Sequence, residues 1–324
     1  MTPVAIPVAL TAASWDAALE ETLSCAAERA FADGTRATAL SARTPAHVHS
    51  VHRRVVNVLI DDALVALASL DVDDAPATVR VPVEDWVRLG VTQDSPVAVS
   101  ADRIELAGDS HDVVVSLTGA RAWSASASDL ERLGVDELTS ASAVLDGFRA
   151  SEPVTPFGLA ARELLVARTA RLRRELLDGD ARSVHAAASS LIGLGEGLTP
   201  SGDDILTGLV FVAAQPGALL SRRMPSLVAA IRDGRTSTGL LSHVTLSHAA
   251  EGRARQSLHD LAGSLVSGDL DRMRSIASAI LEIGHTSGAD ILTGIRLALD
   301  VERSLRASRS AAATPPTESR ISLD

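Results

Sequence analysis

The sequence predicts an α+β protein: a β-rich, barrel- or sandwich-like N-terminal half, then an all-helical C-terminal domain with an internal helix-loop-helix repeat. Three observations carry this. Short β-branched runs bounded by turn residues fill about 47 to 117. Helical periodicity with short Gly-containing turns runs from Pro156 to about Arg306. Two stretches of the second half are also copies of one another. These textures place domains at 1–124 and 125–307, followed by a tail at 308–324.

Taken in order, "SWDAALEETLSCAAERAFAD" (14–33) has the apolar spacing of a leading helix, with Ser14 as its N-cap. Then come "RVVNVLI", "LVALASL", "ATVRVPV", "SPVAVS", "RIELAG" and "DVVVSL". Short strands at this spacing suggest a small antiparallel barrel or sandwich. "VEDWVRLGV" between them reads as a short helix, and "SDLERLGVDELTSASAVLDGFRAS" opens the helical half. The polar, Pro-bearing "SRSAAATPPTESRISLD" cannot bury a core, so disorder is expected there.

Composition narrows the function classes. A chain of 324 residues, 46% hydrophobic, is long enough for two cores. With 2% aromatics and no Tyr, Ala, Val, Leu and Ile must do the packing. Every one of the 30 basic residues is Arg, which excludes a lysine Schiff base and a P-loop lysine. A net charge of −11, no basic stripe and few stacking aromatics argue against nucleic-acid binding. Cys25 is alone, so neither a disulfide framework nor a Cys zinc site is available. The start, "MTPVAIPVALTAASW", lacks a basic region and is interrupted by Pro3 and Pro7, so no signal peptide is expected. No run approaches the ~20 apolar residues of a membrane span, and the expected location is cytoplasmic.

The repeat is the most informative feature. "LLDGDARSVHAAASSLIGLG" (176–195) aligns with "LVSGDLDRMRSIASAILEIG" (265–284), and "SGDDILTGLVFVA" (201–213) with "SGADILTGIRLAL" (287–299). The last pair shares seven identities in thirteen positions. Val184, Ala187, Ala188, Leu191 and Ile192, and in the second copy Met273, Ile276, Ala277, Ile280 and Leu281, follow the spacing of one buried helix face. Gly195 or Gly284 is then expected to end that helix, and Ser201 or Ser287 to open the next.

The copies also separate framework from chemistry. Asp204 and Asp290 each stand three residues after their serine, the spacing of a capping box. Asp203 has Ala289 as its counterpart, so its carboxylate is not needed to build the helix and a ligand or metal role is expected. Gly208 and Gly294 lie one turn beyond the shared aspartates. Glycine inside a helix costs ~1 kcal/mol relative to Ala. Their retention predicts that the two helices cross there, with both loops beside one pocket near a pseudo-twofold axis.

"GLGEGLTPSGDDILTG" (193–208) together with "GHTSGADILTG" (284–294) resembles the signature pair of the family that includes AllH, one of three subunits associated with oxamate carbamoyltransferase in anaerobic allantoin breakdown. The similarity is continuous over about 155 to 300; in the N-terminal half it is one of texture, with Asn57 in "RVVNVLI". Glu196 departs from the Pro that many members carry there. The resemblance implies transfer of a carbamoyl group between a ureido acid such as oxalurate and phosphate, giving oxamate and carbamoyl phosphate, in company with two other subunits. Whether this subunit does the chemistry, or binds substrate and scaffolds its partners without catalysis, stays open.

Carbamoyl transfer needs donors aimed at a developing oxyanion and a grip on phosphate or a carboxylate. On that reading Gly195, Gly197, Gly202 and Gly288 supply backbone N–H groups at helix starts, and Thr199, Ser201, Thr286 and Ser287 supply hydroxyls. Asp203, with Asp204, accepts from the NH2 of an amide or carbamoyl group, or alternatively holds Mg²⁺; amide binding is preferred, and Asp290 completes the set. Two carboxylates beside a dianion argue against a pure phosphate cradle. His285 is the sole histidine of the two signatures and the best acid–base candidate. Arg235, in "GRTSTG" (234–239), could meet a substrate carboxylate. His243 and His248, five apart, and His47, His49 and His52 are assigned no role.

Overall fold

The computed structural model describes residues 7–32, 46–149 and 155–313. The chain divides into two compact units, Met1–Ser126 and Ala127–Asp324.

The first unit holds two sheets and no closed barrel. One has the order β10 (Arg121–Trp123), β2 (Ser14–Asp16), β6 (Thr78–Val81), β5 (Ala63–Ser69), β4 (Val55–Ile60) and β3 (Ala46–Val51). The other runs β1 (Val8–Thr11), β9 (Val113–Ser116), β8 (Arg103–Leu106) and β7 (Val97–Ser100). Three pairings, β1 with β9, β2 with β10 and β5 with β6, are parallel, so the unit is mixed rather than purely antiparallel. Val48, Val58, Val65 and Val79 from the first sheet and Ile104 and Val115 from the second are fully buried, and they share one core with Leu23 of α1 (Leu19–Ala32).

One local expectation is corrected here and another is met. Ser14 does not cap a helix: it lies in β2, and its hydroxyl donates to Asp74 Oδ1 at 2.5 Å. Pairing of Ser14–Asp16 with neighbouring strands takes precedence, and α1 starts at Leu19. The "VEDWVRLGV" segment does form the expected short helix, a 3-10 turn at Trp86–Leu89: Asp85 caps Val87 N at 3.1 Å and Gly90 ends it by turning left-handed (φ 68°).

The second unit is helical: α2 (Val135–Leu145), α3 (Pro156–Asp178), α4 (Ala181–Ser189), α5 (Ser201–Ala213), a 3-10 turn at Leu219–Arg223, α6 (Met224–Asp233), α7 (Leu240–Ala250), α8 (Gln256–Ser267), α9 (Leu270–Leu281) and α10 (Ser287–Ala313). Every residue of α5 from Gly202 to Ala213 is buried, which an amphipathic surface helix could not be. Around it pack α7 and α10, and the Ala-rich faces of this aromatic-poor chain allow close approach.

The duplication is visible contact by contact. Asp180 caps α4 at Ser183 N (2.7 Å), and Asp269 caps α9 at Arg272 N (2.9 Å). A Cβ on Gly202 would stand 2.0 Å from the Leu191 carbonyl, and one on Gly288 would stand 2.0 Å from Ile280 O, the aligned residue. At the predicted crossing, a Cβ on Gly208 would fall 2.1 Å from Ile291 O and one on Gly294 would fall 1.9 Å from Ile205 O. Residues 205 and 291 also align, so the contact maps onto itself when the copies are exchanged. This is the pseudo-twofold relation that the glycines predicted.

The helix ends differ from expectation. α4 stops at Ser189, and the first left-handed residue after it is Gly193 (φ 74°), two before Gly195. Gly284 is left-handed as expected (φ 60°), but α9 has already ended at Leu281. α10 runs on to Ala313, beyond the expected start of the tail at 308; residues 314–324 lie outside the described part.

Candidate functional site

The site grows from the starts of α5 and α10, where the repeat loops meet. Thr199 Oγ1 lies 2.8 Å from Ser287 Oγ of the other copy and 3.1 Å from Asp204 Oδ2. Burial pushes the Asp204 carboxyl up to about 7, against the hydrogen bonds of Ser287 and Thr199; the charges of Asp290 and Asp203 push the same way as burial. Asp290 mirrors this arrangement: the Ser201 hydroxyl of the first copy and the Thr286 hydroxyl of its own loop serve it. Burial raises its carboxyl to about 6, with the Arg162 guanidinium of α3 pulling the other way. Each shared aspartate is therefore held by a serine of the opposite copy.

That exchange overturns the capping-box reading. The residue preceding α5 is Pro200, with no side-chain cap, and Asp203 N and Asp204 N both donate to Pro200 O (2.9 and 3.2 Å). With the first-turn amides satisfied by backbone, the Asp204 carboxyl is released to reach across the crossing. The same accounting corrects two proposed donors. Gly202 N–H is spent on Leu194 O (2.8 Å) and Gly288 N–H on Ile283 O (3.0 Å), so both glycines serve close packing instead. Gly195 (φ 130°) and Gly197 (φ 98°) shape the loop, and Gly197 has open space beside it.

Asp203 is 1% exposed, and both its oxygens are engaged: Gly193 N donates to Oδ1 at 2.9 Å, and the Thr238 hydroxyl donates to Oδ2. Burial raises its carboxyl, while Thr238, Gly193 and the neighbouring Ser242 and His243 lower it. It ties the Gly-rich loop to the segment before α7, a positioning task that its missing counterpart in the second copy did not reveal. His243, whose spacing from His248 carries no signal in the sequence, faces this carboxylate; burial and then the charge of Arg235 keep its pKa low. Arg235 itself is exposed.

His285 is exposed in the turn leading to Thr286 and Ser287, on the same loop as the hydroxyls that meet Asp204 and Asp290. Asn57 belongs to the first unit, where it lies buried in β4 and its Nδ2 donates to Ser50 Oγ at 2.9 Å. Of the residues that sequence reasoning missed, Thr238 sits in the quoted "GRTSTG" and carried a signal in that hydroxyl-rich segment. Arg162 and Ser242 carried none, since their place here is a product of tertiary packing.

The arrangement offers two near-neutral carboxyls, a chain of hydroxyls and flanking guanidinium groups. It suits a ligand carrying both N–H groups and an anionic end. Among the described residues, no group of three His, Cys, Asp or Glu is arranged to hold a metal ion. Nor is any described helix long and apolar enough to cross a membrane.

Two family models match the chain in order. That of the AllH family N-terminal domain covers residues 13–122, and that of oxamate carbamoyltransferase subunit AllH covers residues 191–299. No solved structure matches the chain. The second match spans both repeat loops and the crossing between them, and the first spans most of the mixed-sheet unit, from β2 onward. The chain belongs to the AllH family, that of a subunit of oxamate carbamoyltransferase.

Proposed function

We propose that this chain is a cytoplasmic subunit of a multi-subunit carbamoyltransferase of ureide nitrogen catabolism, and that its helical unit binds the ureido substrate between the two repeat loops. The transfer runs between a ureido acid such as oxalurate and phosphate, giving oxamate and carbamoyl phosphate, with two further subunits as partners. The observation that supports this best is the reciprocal seating of Asp204 and Asp290 by serines of opposite copies, inside the segment matched by the subunit family. A framework role alone does not need buried carboxyls at a crossing that glycines and backbone already satisfy.

In this reading the N–H groups of the ureido group meet the hydroxyl and carboxyl groups gathered at Asp204 and Asp290. The anionic end meets loop amides at Gly195 and Gly197, with Arg235 or Arg162 balancing its charge. Mg²⁺ is the less favoured occupant, because Asp203 and Asp204 are already held by hydroxyl and amide donors that a cation would have to displace. His285, exposed beside Thr286, is the candidate for stabilising the tetrahedral oxyanion.

The test mixes the purified chain with its two partner subunits and follows carbamoyl phosphate formed from oxalurate and inorganic phosphate. The reading expects activity that requires this chain, and loss of turnover in His285→Ala and Asp203→Asn with assembly intact. Full turnover in both variants would leave a scaffolding role without catalytic contact as the better account.

A further inference from the structure

Asp204 and Asp290 are related by the repeat but not equally satisfied. Asp290 is 9% exposed, and its Oδ2 is buried without a hydrogen-bond partner. The neighbouring Ser201 and Thr286 hydroxyls, which lower the Asp290 pKa, leave that oxygen without a donor. A buried carboxylate oxygen with no donor is expensive, and such an atom points to a donor supplied from outside the fold.

Asp204 shows the opposite condition. Three contacts close a circuit: Thr199 with Asp204 (3.1 Å), Thr199 with Ser287 (2.8 Å), and Ser287 with Asp204. Each hydroxyl owns one proton, so the two hydroxyls supply two protons for three contacts. An ionised Asp204 leaves one contact with lone pair facing lone pair; a protonated Asp204 completes the circuit. The groups facing Asp204 agree with this. Asp203 on its own helix and Asp290 on α10 are both acidic. The cation Arg162 on α3 acts on Asp290, and neutral-leaning His243 on α7 faces Asp203.

We propose that the two carboxyls divide the work on the leaving amide: Asp204 holds the proton that the departing nitrogen receives, and Asp290 Oδ2 accepts that nitrogen's own N–H. This rests on the proposed function and extends it to a ligand class, an N-carbamoylated primary amide. As an oxygen of hydrogen phosphate bonds to the carbamoyl carbon, the C–N bond breaks and its electron pair passes to nitrogen. The Thr199 hydroxyl gives its proton to that nitrogen and takes the one on Asp204. The proton that hydrogen phosphate releases restores the acid. Atoms and charge balance with no oxidant or further reactant. Asp204 acts through Thr199 and is a positioning residue and proton store, whereas Asp290 touches the substrate.

Two measurements test this. The first is the infrared carbonyl band of a protonated carboxylic acid, recorded on the chain alone across neutral pH. The proposal expects a component of that band that fades as pH rises past about 7 and is removed in Asp204→Asn, leaving the part that Asp290 contributes at lower pH. The second is the pH profile of turnover in the assembled complex with oxalurate and inorganic phosphate. A fall in rate on the basic side is expected, lost in Asp204→Asn together with roughly a hundredfold in kcat. Thr199→Val, which keeps the acid, should keep the band but lose the rate, and covers the case where Asp204→Asn misfolds. Asp290→Asn should raise KM for oxamate in the reverse direction more than it lowers kcat. Absence from the unmodified chain of the component that fades past about pH 7 overturns the proposal outright. A complex active with an unchanged basic limb in Asp204→Asn overturns the proton role alone. A correctly assembled complex that makes no carbamoyl phosphate overturns the proposed function and the proton role with it.

Discussion

Thr199 and Ser287, 88 residues apart in the chain, bring their hydroxyl oxygens to 2.8 Å. Thr199 stands in the loop before α5 and Ser287 opens α10, so this bond fastens one repeat to the other at the point where Asp204 is seated. A double-mutant cycle should show it. Thr199→Val and Ser287→Ala are each expected to cost about 1 kcal/mol in urea unfolding, with a coupling of similar size between them. Strict additivity would mean that the two loops do not cooperate.

The crossing beneath that bond tolerates no side chain. Gly208→Ala gains ~1 kcal/mol of helix propensity, but its methyl would stand 2.1 Å from the Ile291 carbonyl, an atom of a helix backbone that cannot rotate away. We expect a net loss of about 3 kcal/mol or more for Gly208→Ala or Gly294→Ala, read as a lowered Tm. Gly263→Ala makes the control, since nothing lies within 4 Å of its added Cβ. It should be neutral or mildly stabilising.

Stability should fall as pH rises through the range of the two shared aspartates. Their folded pKa values, about 7 for Asp204 and about 6 for Asp290, lie above the ordinary 3.8. In that interval the folded chain binds more protons than the unfolded one, so raising pH favours unfolding. The contribution is fully present below about 4 and is lost as pH passes about 6 to 7. Tm measured across pH 4 to 8 should therefore flatten in Asp204→Asn. An unchanged slope would show that Asp204 does not titrate in this window.

Asp203 serves the loops and not the crossing. Removing its carboxylate in Asp203→Ala strands Gly193 N–H and the Thr238 hydroxyl, and about 1–3 kcal/mol of destabilisation is expected. Limited proteolysis should then cut first between 234 and 239. Protection of that segment equal to the unmodified chain would show that Thr238 is held by something else.

The sequence made the large features legible for a physical reason: duplication exposes which residues every copy needs. The α+β division, the repeat and the glycine crossing could all be read because hydrophobic period and glycine cost act locally or pairwise within the copies. What escaped was decided by partners distant in sequence. Asp204 has capping-box spacing, yet Pro200 O satisfies the first-turn amides, and the carboxyl turns to Ser287. Asp203 looked like a spare carboxylate because its counterpart is alanine, but its partner Thr238 comes from a segment that the repeat does not include. Ser14 has the side chain of a helix cap, but strand pairing claims it first.

The most direct measurement is carbamoyl phosphate formation from oxalurate and phosphate by a complex assembled with the Thr199→Val, Ser287→Ala chain. If the joined repeat loops are where the carbamoyl group changes hands, turnover should drop by about two orders of magnitude while assembly is unaffected. Turnover equal to that of the unmodified complex would contradict the account.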